Sequence, residues 1–209
     1  MDDRQYLLGL ISEGEHQQQD FKYKVTDARK LARSVSAFAN TDGGRLLIGV
    51  RDDGHLSGVR SEEEIFMMHQ AAYKFCRPEA SIKFDTYHAE GRTIVVATVP
   101  PSPRRPVCAV DDEGRQRAYI RIADENIVAS PVHLAVWREQ QQDRGAVMTY
   151  TDDVRQLIGT LAEPLTLAQT VRRSRLPRRL VVGLLARLVR FGVVRWQYAD
   201  GQFLFSLVG

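Results

Sequence analysis

Hydrophobic residues recur along the first part of the chain with two different spacings, which predict helices alternating with strands. Apolar residues spaced three or four apart predict an amphipathic helix that is capped at residues 26–27 and stops at Asn40. Two glycines at residues 43–44 then predict a sharp return of the backbone. The apolar run "LLIGV" that follows predicts a strand covered on both faces, which ends on adjacent carboxylates at residues 52–53.

The segment before this helix alternates between apolar and polar residues, as a half-buried strand does. Phe21, Tyr23 and Val25 are expected on its buried face. Lys22 and Lys24 are expected on the opposite face, where they are candidates for contacts with phosphates and equally for ordinary solvated lysines.

Further helices and strands continue this mixture up to a helix begun by Pro131. The polar stretch after that helix predicts a domain boundary, which divides the chain into residues 1–145 and 146–209. The first part is expected to be an α+β domain. A proline-rich loop in it carries Arg104 and Arg105, which are candidate contacts for a nucleic-acid backbone or members of a solvated loop.

The second part has the order helix, helix, helix and hairpin, which is typical of a winged helix-turn-helix. The third helix, over residues 177–191, is the candidate recognition helix. The hairpin over residues 193–207, with a turn at Asp200-Gly201, is the candidate wing. The predicted architecture is therefore α+β, with a smaller winged-helix domain after the first domain.

The distribution of charge is more informative than the net charge of +3. Residues 1–148 have a net charge of −2 and residues 149–209 a net charge of +5, and all nine cations of the second segment are arginines. Such a segment predicts an anionic partner, with DNA as the first candidate and RNA as the second. The alternatives are a solvated helix surface and a dimerisation unit that shares the apolar face of "LVVGLLARLV". Five arginines cluster at the turn before the third helix and at its start: Arg172, Arg173, Arg175, Arg178 and Arg179.

Several other classes of protein find no support in the sequence. The longest apolar run is too short for a membrane span, and the acidic start "MDDRQYLLGL" lacks a basic signal-peptide region, so the cytoplasm is expected. The two cysteines form no CxxC pair, and the five histidines have no zinc spacing. No GxxxxGK[ST] motif accompanies the glycines at 43–44, which favours a turn over a nucleotide site.

Three segments carry a family resemblance: "GEHQQQDFKYK", "SAFANTDGGRLLIGVRDDGHLSGV" and "AYIRIADENIVASP". Together they resemble the Schlafen AlbA-like domain over roughly residues 10–135. The resemblance implies a nucleic-acid partner, and many bacterial proteins with this domain are described as transcriptional regulators. We therefore expect a DNA-binding transcriptional regulator, which as a homodimer would match two-fold operators.

The same resemblance implies an alternative function, a metal-dependent endoribonuclease with a three-carboxylate site. The site of Schlafen proteins with RNase activity falls here on Glu15, Asp20 and Asp52. Asp20 replaces the glutamate of the family's Glu-Phe-Lys signature and is one methylene shorter, while Phe21 and Lys22 match. Clustered carboxylates suit Mg²⁺ or Mn²⁺, and no other cofactor is expected. Turn and ion-pair roles are the alternative explanation of these acids, so enzyme activity stays open.

Overall fold

The computed structural model of the chain describes residues 2–59, 61–142 and 147–209. These residues form two compact units, one ending at Val128 and the other beginning at Ala129. Both contain helices and strands, so the predicted α+β fold class is confirmed. The first unit contains α1 (Asp3–Ser12), β1 (Gln19–Lys22), α2 (Ala28–Asn40), β2 (Gly44–Ile48), α3 (Glu62–Tyr73), β3 (Cys76–Arg77), β4 (Lys83–Ala89), β5 (Arg92–Val99), β6 (Cys108–Val110), β7 (Gln116–Ile122) and β8 (Glu125–Val128).

The first sheet of this unit has the strand order β1-β2-β5-β4, in which β1 and β2 run parallel and the other pairs antiparallel. β2 lies inside the sheet, and its Leu46, Leu47 and Ile48 are fully buried. Leu46 and Ile48 pack in the core that contains α2, whereas Leu47 packs with residues of α1 on the opposite face. The prediction of a strand covered on both faces is confirmed.

α2 packs against this first sheet and against a second sheet of order β3-β6-β7-β8. Asp27 caps the helix as predicted, because its carboxylate accepts hydrogen bonds from the backbone N–H groups of Arg29 and Lys30. Most of the remaining helix is buried, from Leu31 to Asn40. The helix therefore joins the two sheets in one hydrophobic core.

The two glycines after α2 are required by what surrounds them. Gly43 has a φ of +73°, and a Cβ on it would lie 2.8 Å from the carbonyl oxygen of Val99. A Cβ on Gly44 would lie 2.3 Å from the ring of Phe38. The chain thus returns from α2 into β2 through a passage with no room for a side chain.

The predicted alternation along the first strand is wrong in part. Tyr23 lies beyond the end of β1 and is 38% exposed rather than inward. Asp20 is only 4% exposed, although the pattern placed its face in solvent. The pattern fails because both faces of β1 are covered, with α1 residues packed beside Phe21 and the guanidinium of Arg121 beside Asp20.

The second unit contains α4 (Pro131–Gln141), α5 (Asp152–Ile158), β9 (Leu165–Thr166), α6 (Leu167–Ser174), α7 (Arg178–Arg190), β10 (Val194–Ala199) and β11 (Gln202–Leu207). It is built around an apolar core to which α7 contributes the most buried residues. Its strands form a sheet of order β10-β11-β9, and the hairpin turns at Asp200-Gly201 as predicted. The third predicted helix begins one residue after Pro177, and its Leu184, Leu185 and Leu188 are buried.

The structure places α4 in the second unit. The sequence assigned this helix to the first domain, with a boundary between residues 145 and 146 that lies outside the described residues. α4 packs on α7, and its Val132 belongs to the second hydrophobic core. An amphipathic pattern shows that a helix buries one face but does not show which core receives it.

No described helix is both long enough and apolar enough to cross a membrane. The longest ones, α2 and α7, have 13 residues each, whereas a spanning helix needs about 20.

His133 connects α4 to the hairpin of the second unit. Its ring centroid lies 4.7 Å from that of Trp196 and 4.8 Å from that of Phe203, in edge-to-face contacts. Its Nδ1 is 2.7 Å from Oγ of Ser130, the residue that caps α4. Burial lowers the pKa of His133 to about 4. The side chain is therefore neutral in the folded unit at neutral pH.

The second unit is expected to lose stability as the pH falls from 6.5 to 4. His133 is protonated near pH 6.5 in the unfolded chain but resists protonation in the folded unit, so stability is complete above 6.5 and decreases by about 3 kcal/mol toward pH 4. Urea unfolding followed by tryptophan fluorescence measures this, because Trp137 and Trp196 both belong to this unit. The His133→Gln variant is the control, and an equal pH dependence in variant and wild type would contradict the assignment.

Candidate nucleic-acid interface

The carboxyls of Glu15 and Asp20 lie together beside β1. Glu15 Oε1 accepts a hydrogen bond from the backbone N–H of Phe21 at 2.9 Å. Burial and a hydrogen bond with the carboxyl of Asp20 raise the pKa of Glu15. The carboxyl of Glu15 therefore holds its proton more readily than the carboxyl of an isolated glutamate.

Two cations of the protein face Asp20. Lys22 Nζ lies 2.6 Å from Oδ2 of Asp20, and Arg121 Nη2 lies 3.4 Å from Oδ1. Arg121 is 2% exposed, and its guanidinium also donates to Asn126 Oδ1 at 3.0 Å and to the backbone oxygen of Gln19 at 3.3 Å. Asp20 therefore balances the charge of a buried guanidinium.

The structure brings together only two of the three predicted carboxylates. Asp52 lies in an exposed turn. Among the residues that the structure describes, no three His, Cys, Asp or Glu side chains are grouped to hold a metal ion. The oxygens of Asp20 face Lys22 and Arg121 instead, so this arrangement does not fit a divalent cation.

The four predicted cations of the first unit differ in how they are held. Lys22 forms an ion pair with Asp20 and also donates a hydrogen bond to the carbonyl of Phe21. Arg105 donates to the carbonyl of Thr41 at 2.7 Å, which fixes the proline-rich loop to the end of α2. Lys24 and Arg104 are exposed, and within the described residues neither side chain has a hydrogen bond or an ion pair.

The five predicted arginines of the second unit lie at the end of α6, in the turn and at the start of α7, and all five are exposed. Arg173 Nη1 lies 3.8 Å from Glu163 Oε2, a long ion pair. Within the described part of the chain, the other four have no hydrogen bond or ion pair from their side chains. The four are Arg172, Arg175, Arg178 and Arg179.

Three other arginines of this unit form ion pairs or hydrogen bonds. Arg155 pairs with Asp152 at 3.2 Å, and Arg187 pairs with Glu139 at 3.1 Å. Arg190 donates to the backbone carbonyl of Glu139. Among the described residues, most guanidinium groups of this unit that have no partner therefore lie around the α6–α7 turn, and Arg138 of α4 is a further exposed one.

A comparison with protein families matches residues 15–130 to the family described as Schlafen, AlbA_2. This match covers more than half of the chain. The chain belongs to the Schlafen AlbA_2 family. No curated protein matches it.

Two solved structures are similar to the chain at low identity. The crystal structure of the DIP2311 protein from Corynebacterium diphtheriae has a TM-score of 0.46 and 19% identity, over 90% of this chain and 34% of that one. The solution NMR structure of the N-terminal domain of a Nitrosomonas europaea protein, described as related to the ATP-dependent DNA helicase RecG, has a TM-score of 0.43 and 18% identity. It covers 72% of this chain and 97% of that one. The present chain spans about a third of the C. diphtheriae protein.

The Ala-Asn-Thr segment of the Schlafen AlbA_2 unit fastens α2 to the second sheet. Asn40 Nδ2 donates to the carbonyls of Val107 and Tyr119, each at 2.8 Å. Its Oδ1 accepts from the N–H of Val107, also at 2.8 Å. Ser36, one turn earlier, donates to Val107 O and accepts from Tyr119 N. Thr41 accepts from the N–H of Arg121 at 2.9 Å.

Sequence reasoning missed three buried polar residues of the Schlafen AlbA_2 unit that each make several hydrogen bonds, which are Gln19, Asn40 and Arg121. Gln19 is fully buried and donates to the carbonyls of Leu10 and Gly14 at the end of α1. A signal for Asn40 was its position on the apolar face of α2. A signal for Arg121 was a single cation inside an otherwise apolar strand, "YIRI".

Proposed function

We propose that the chain is a DNA-binding protein that acts in transcriptional regulation and docks through its second unit as a winged helix-turn-helix. Membership of the Schlafen AlbA_2 family supports a nucleic-acid-related function. The observation that carries the proposal is the group of exposed arginines around the α6–α7 turn, four of which have no ion-pair partner within the described residues. Such a surface fits the phosphates of a polynucleotide.

The local geometry supports the helix-turn-helix assignment. α6 ends at Ser174, α7 begins at Arg178, and three residues join them. Arg175 has a φ of 55°, the left-handed conformation that ends a helix abruptly. A turn of this length between two helices is typical of the motif, and the β10–β11 hairpin follows in the position of a wing.

Replacing Arg178 and Arg179 together by alanine is expected to weaken binding to duplex DNA about tenfold and to flatten its salt dependence. Each phosphate contact that is lost lowers the slope of log affinity against log salt by about 0.9 in B-DNA, so the double variant loses nearly two. Fluorescence anisotropy with labelled duplex over a range of salt concentrations measures both quantities.

A second double variant, Arg115→Ala with Arg155→Ala, is the matched control. It removes the same charge, but Arg115 is paired with Asp111 and Arg155 with Asp152. The control is expected to keep the affinity and the slope nearly unchanged. Equal losses in both double variants would mean that net charge alone explains the binding, and unchanged affinity in both would remove the proposal.

The metal-dependent ribonuclease is the competing proposal, although the structure groups only the carboxyls of Glu15 and Asp20, which by themselves do not form a divalent-cation site. Incubation of the protein with labelled tRNA, with Mn²⁺ and with chelator, tests it. Cleavage that needs the metal and disappears in Asp52→Ala would establish the enzyme and would require Asp52 to join the other two carboxyls. If the RNA stays intact under all conditions and the protein retains duplex DNA, the ribonuclease is removed and the DNA-binding regulator stands.

A homodimer is part of the proposal, because paired winged helices match two-fold operators. Light scattering of the purified protein gives the oligomeric state. A dimer without any salt-dependent affinity for nucleic acid would favour the third possibility, in which the second unit serves only for dimerisation.

A further inference from the structure

The exposed side of α2 consists of cations. Ten of the thirteen residues of this helix are buried, and the three that are not buried are Arg29, Lys30 and Arg33. Residues three or four positions apart lie on the same side of a helix, so Arg29 and Lys30 both lie beside Arg33. A face that serves only for solvation usually mixes charges of both signs, whereas this face carries a single sign.

β7 adds a fourth cation to this surface. Arg117 lies opposite Ala109 of β6 in the second sheet, and α2 packs against both strands. Arg117 and the three cations of α2 line one groove, which we call the α2–β7 groove. The whole groove lies within the first unit.

The acids that line the α2–β7 groove already have partners. Asp27 caps α2, so its carboxylate accepts from backbone N–H groups. Asp111 Oδ2 accepts a hydrogen bond from Arg115 Nε at 2.9 Å, and Asp112 Oδ1 lies 3.2 Å from Arg29 Nη1. The acids are therefore paired with groups other than the remaining cations of the groove.

The remaining cations are Lys30, Arg33 and Arg117. All three are exposed, and within the described part of the chain none of their side chains has a hydrogen bond or an ion pair. Arg29 beside them is held in place, because its guanidinium carbon also lies 4.5 Å from the centre of the Phe75 ring. The groove thus presents three charges without partners next to a fixed fourth charge.

The backbone of a polynucleotide suits these charges. Arg and Lys side chains bind phosphate oxygens through charge-assisted hydrogen bonds. The groove residues Ala109 and Tyr119 are buried, whereas an interface with another protein usually has an apolar centre. Contacts to phosphates need no such centre. We infer that the α2–β7 groove binds the phosphate backbone of DNA through Lys30, Arg33 and Arg117.

This phosphate contact rests on the proposed DNA binding, to which it adds a site in the first unit. Phosphate contacts raise affinity and orient the protein but carry no sequence information. The reading of an operator therefore stays with the second unit. The salt dependence of the full chain is expected to include both groups of cations, since each phosphate contact adds to its slope.

The double variant Lys30→Ala, Arg33→Ala of the full chain tests the site. It is expected to bind labelled duplex about tenfold more weakly, with a slope of log affinity against log salt that is lower by nearly two. Both positions are exposed on a helix, where alanine is well tolerated. The matched control is Arg4→Ala with Lys83→Ala, which removes the same charge from two cations that each have an ion pair. The control is expected to keep the affinity and the slope.

Acetylation of lysines by an amine-reactive reagent, followed by mass spectrometry, locates the contact without any substitution. Bound duplex is expected to protect Lys30 and to leave Lys83, whose side chain is 75% exposed, as reactive as in the free protein. Polyglutamate, which offers carboxylates in place of phosphates, is expected to protect Lys30 less than the duplex does.

Two kinds of failure are distinguishable. Equal reactivity of Lys30 with and without duplex, or wild-type affinity and slope in the double variant, would overturn the inference while DNA binding itself stands. Protection of Lys30 by polyglutamate but not by duplex would assign the groove to an acidic protein and would also overturn it. Failure of the wild-type chain to retain any duplex at any salt concentration would remove the proposed function, and the phosphate contact with it.

Discussion

Replacement of Asn40 by alanine is expected to lower the free energy of unfolding of the first unit by about 4 kcal/mol. The N–H of Val107 and the carbonyl of Tyr119 lose their partner in a buried site, and each buried polar group without a partner costs about 1–3 kcal/mol. A cavity in place of the amide adds to this cost. Urea unfolding followed by far-ultraviolet circular dichroism measures the change.

Two further variants make this expectation specific. Asn40→Asp keeps the oxygen that accepts from Val107 but loses the hydrogen bonds that the amide nitrogen donates to Ser36, Val107 and Tyr119, and it buries a charge. It is therefore expected to be at least as destabilising. Asp42→Ala, in the exposed turn that follows, is the matched control and is expected to change stability by less than about 0.5 kcal/mol. Equal unfolding midpoints for Asn40→Ala and Asp42→Ala would show that the hydrogen bonds of Asn40 contribute no stability.

The contrast between Asn40 and its neighbours shows how far the sequence could predict this fold. α2, the return at Gly43 and the two-sided burial of β2 follow from local patterns of apolar residues and glycine, and the structure confirms them. The role of Asn40 depends on β6 and β7, which come much later in the chain. No local pattern specifies which backbone groups a buried amide will meet.

The candidate sites divide in the same way. A run of arginines with few acids predicts an exposed basic surface, and the exposure of Arg178 and Arg179 follows from that composition. The packing of α4 on α7 could not be predicted, because it depends on how two amphipathic helices meet in the folded unit. Likewise, the family resemblance implied a shared site for Glu15 and Asp20, but not that Arg121 would supply the opposite charge.

Replacing Asp20 by alanine is expected to destabilise the first unit by about 3–5 kcal/mol, because the guanidinium of Arg121 is left buried without its carboxylate. The double variant Asp20→Ala, Arg121→Met removes both charges, and replacing a buried ion pair by apolar residues is often close to neutral. The double variant is therefore expected to be more stable than Asp20→Ala alone. Urea unfolding of the three proteins, followed by circular dichroism, measures the coupling.

The same series separates a structural role of Asp20 from a catalytic one. Asp52→Ala, in an exposed turn, is the matched control and is expected to unfold at the wild-type urea concentration. A structural Asp20 predicts a large loss of stability that Arg121→Met relieves. A carboxylate held for metal chemistry predicts the opposite result. The Asp20→Ala variant would then be at least as stable as wild type, because removing one of two adjacent carboxyls relieves their repulsion. Because Arg121 is only 2% exposed, water cannot solvate its guanidinium in place of Asp20, and we expect the large loss of stability.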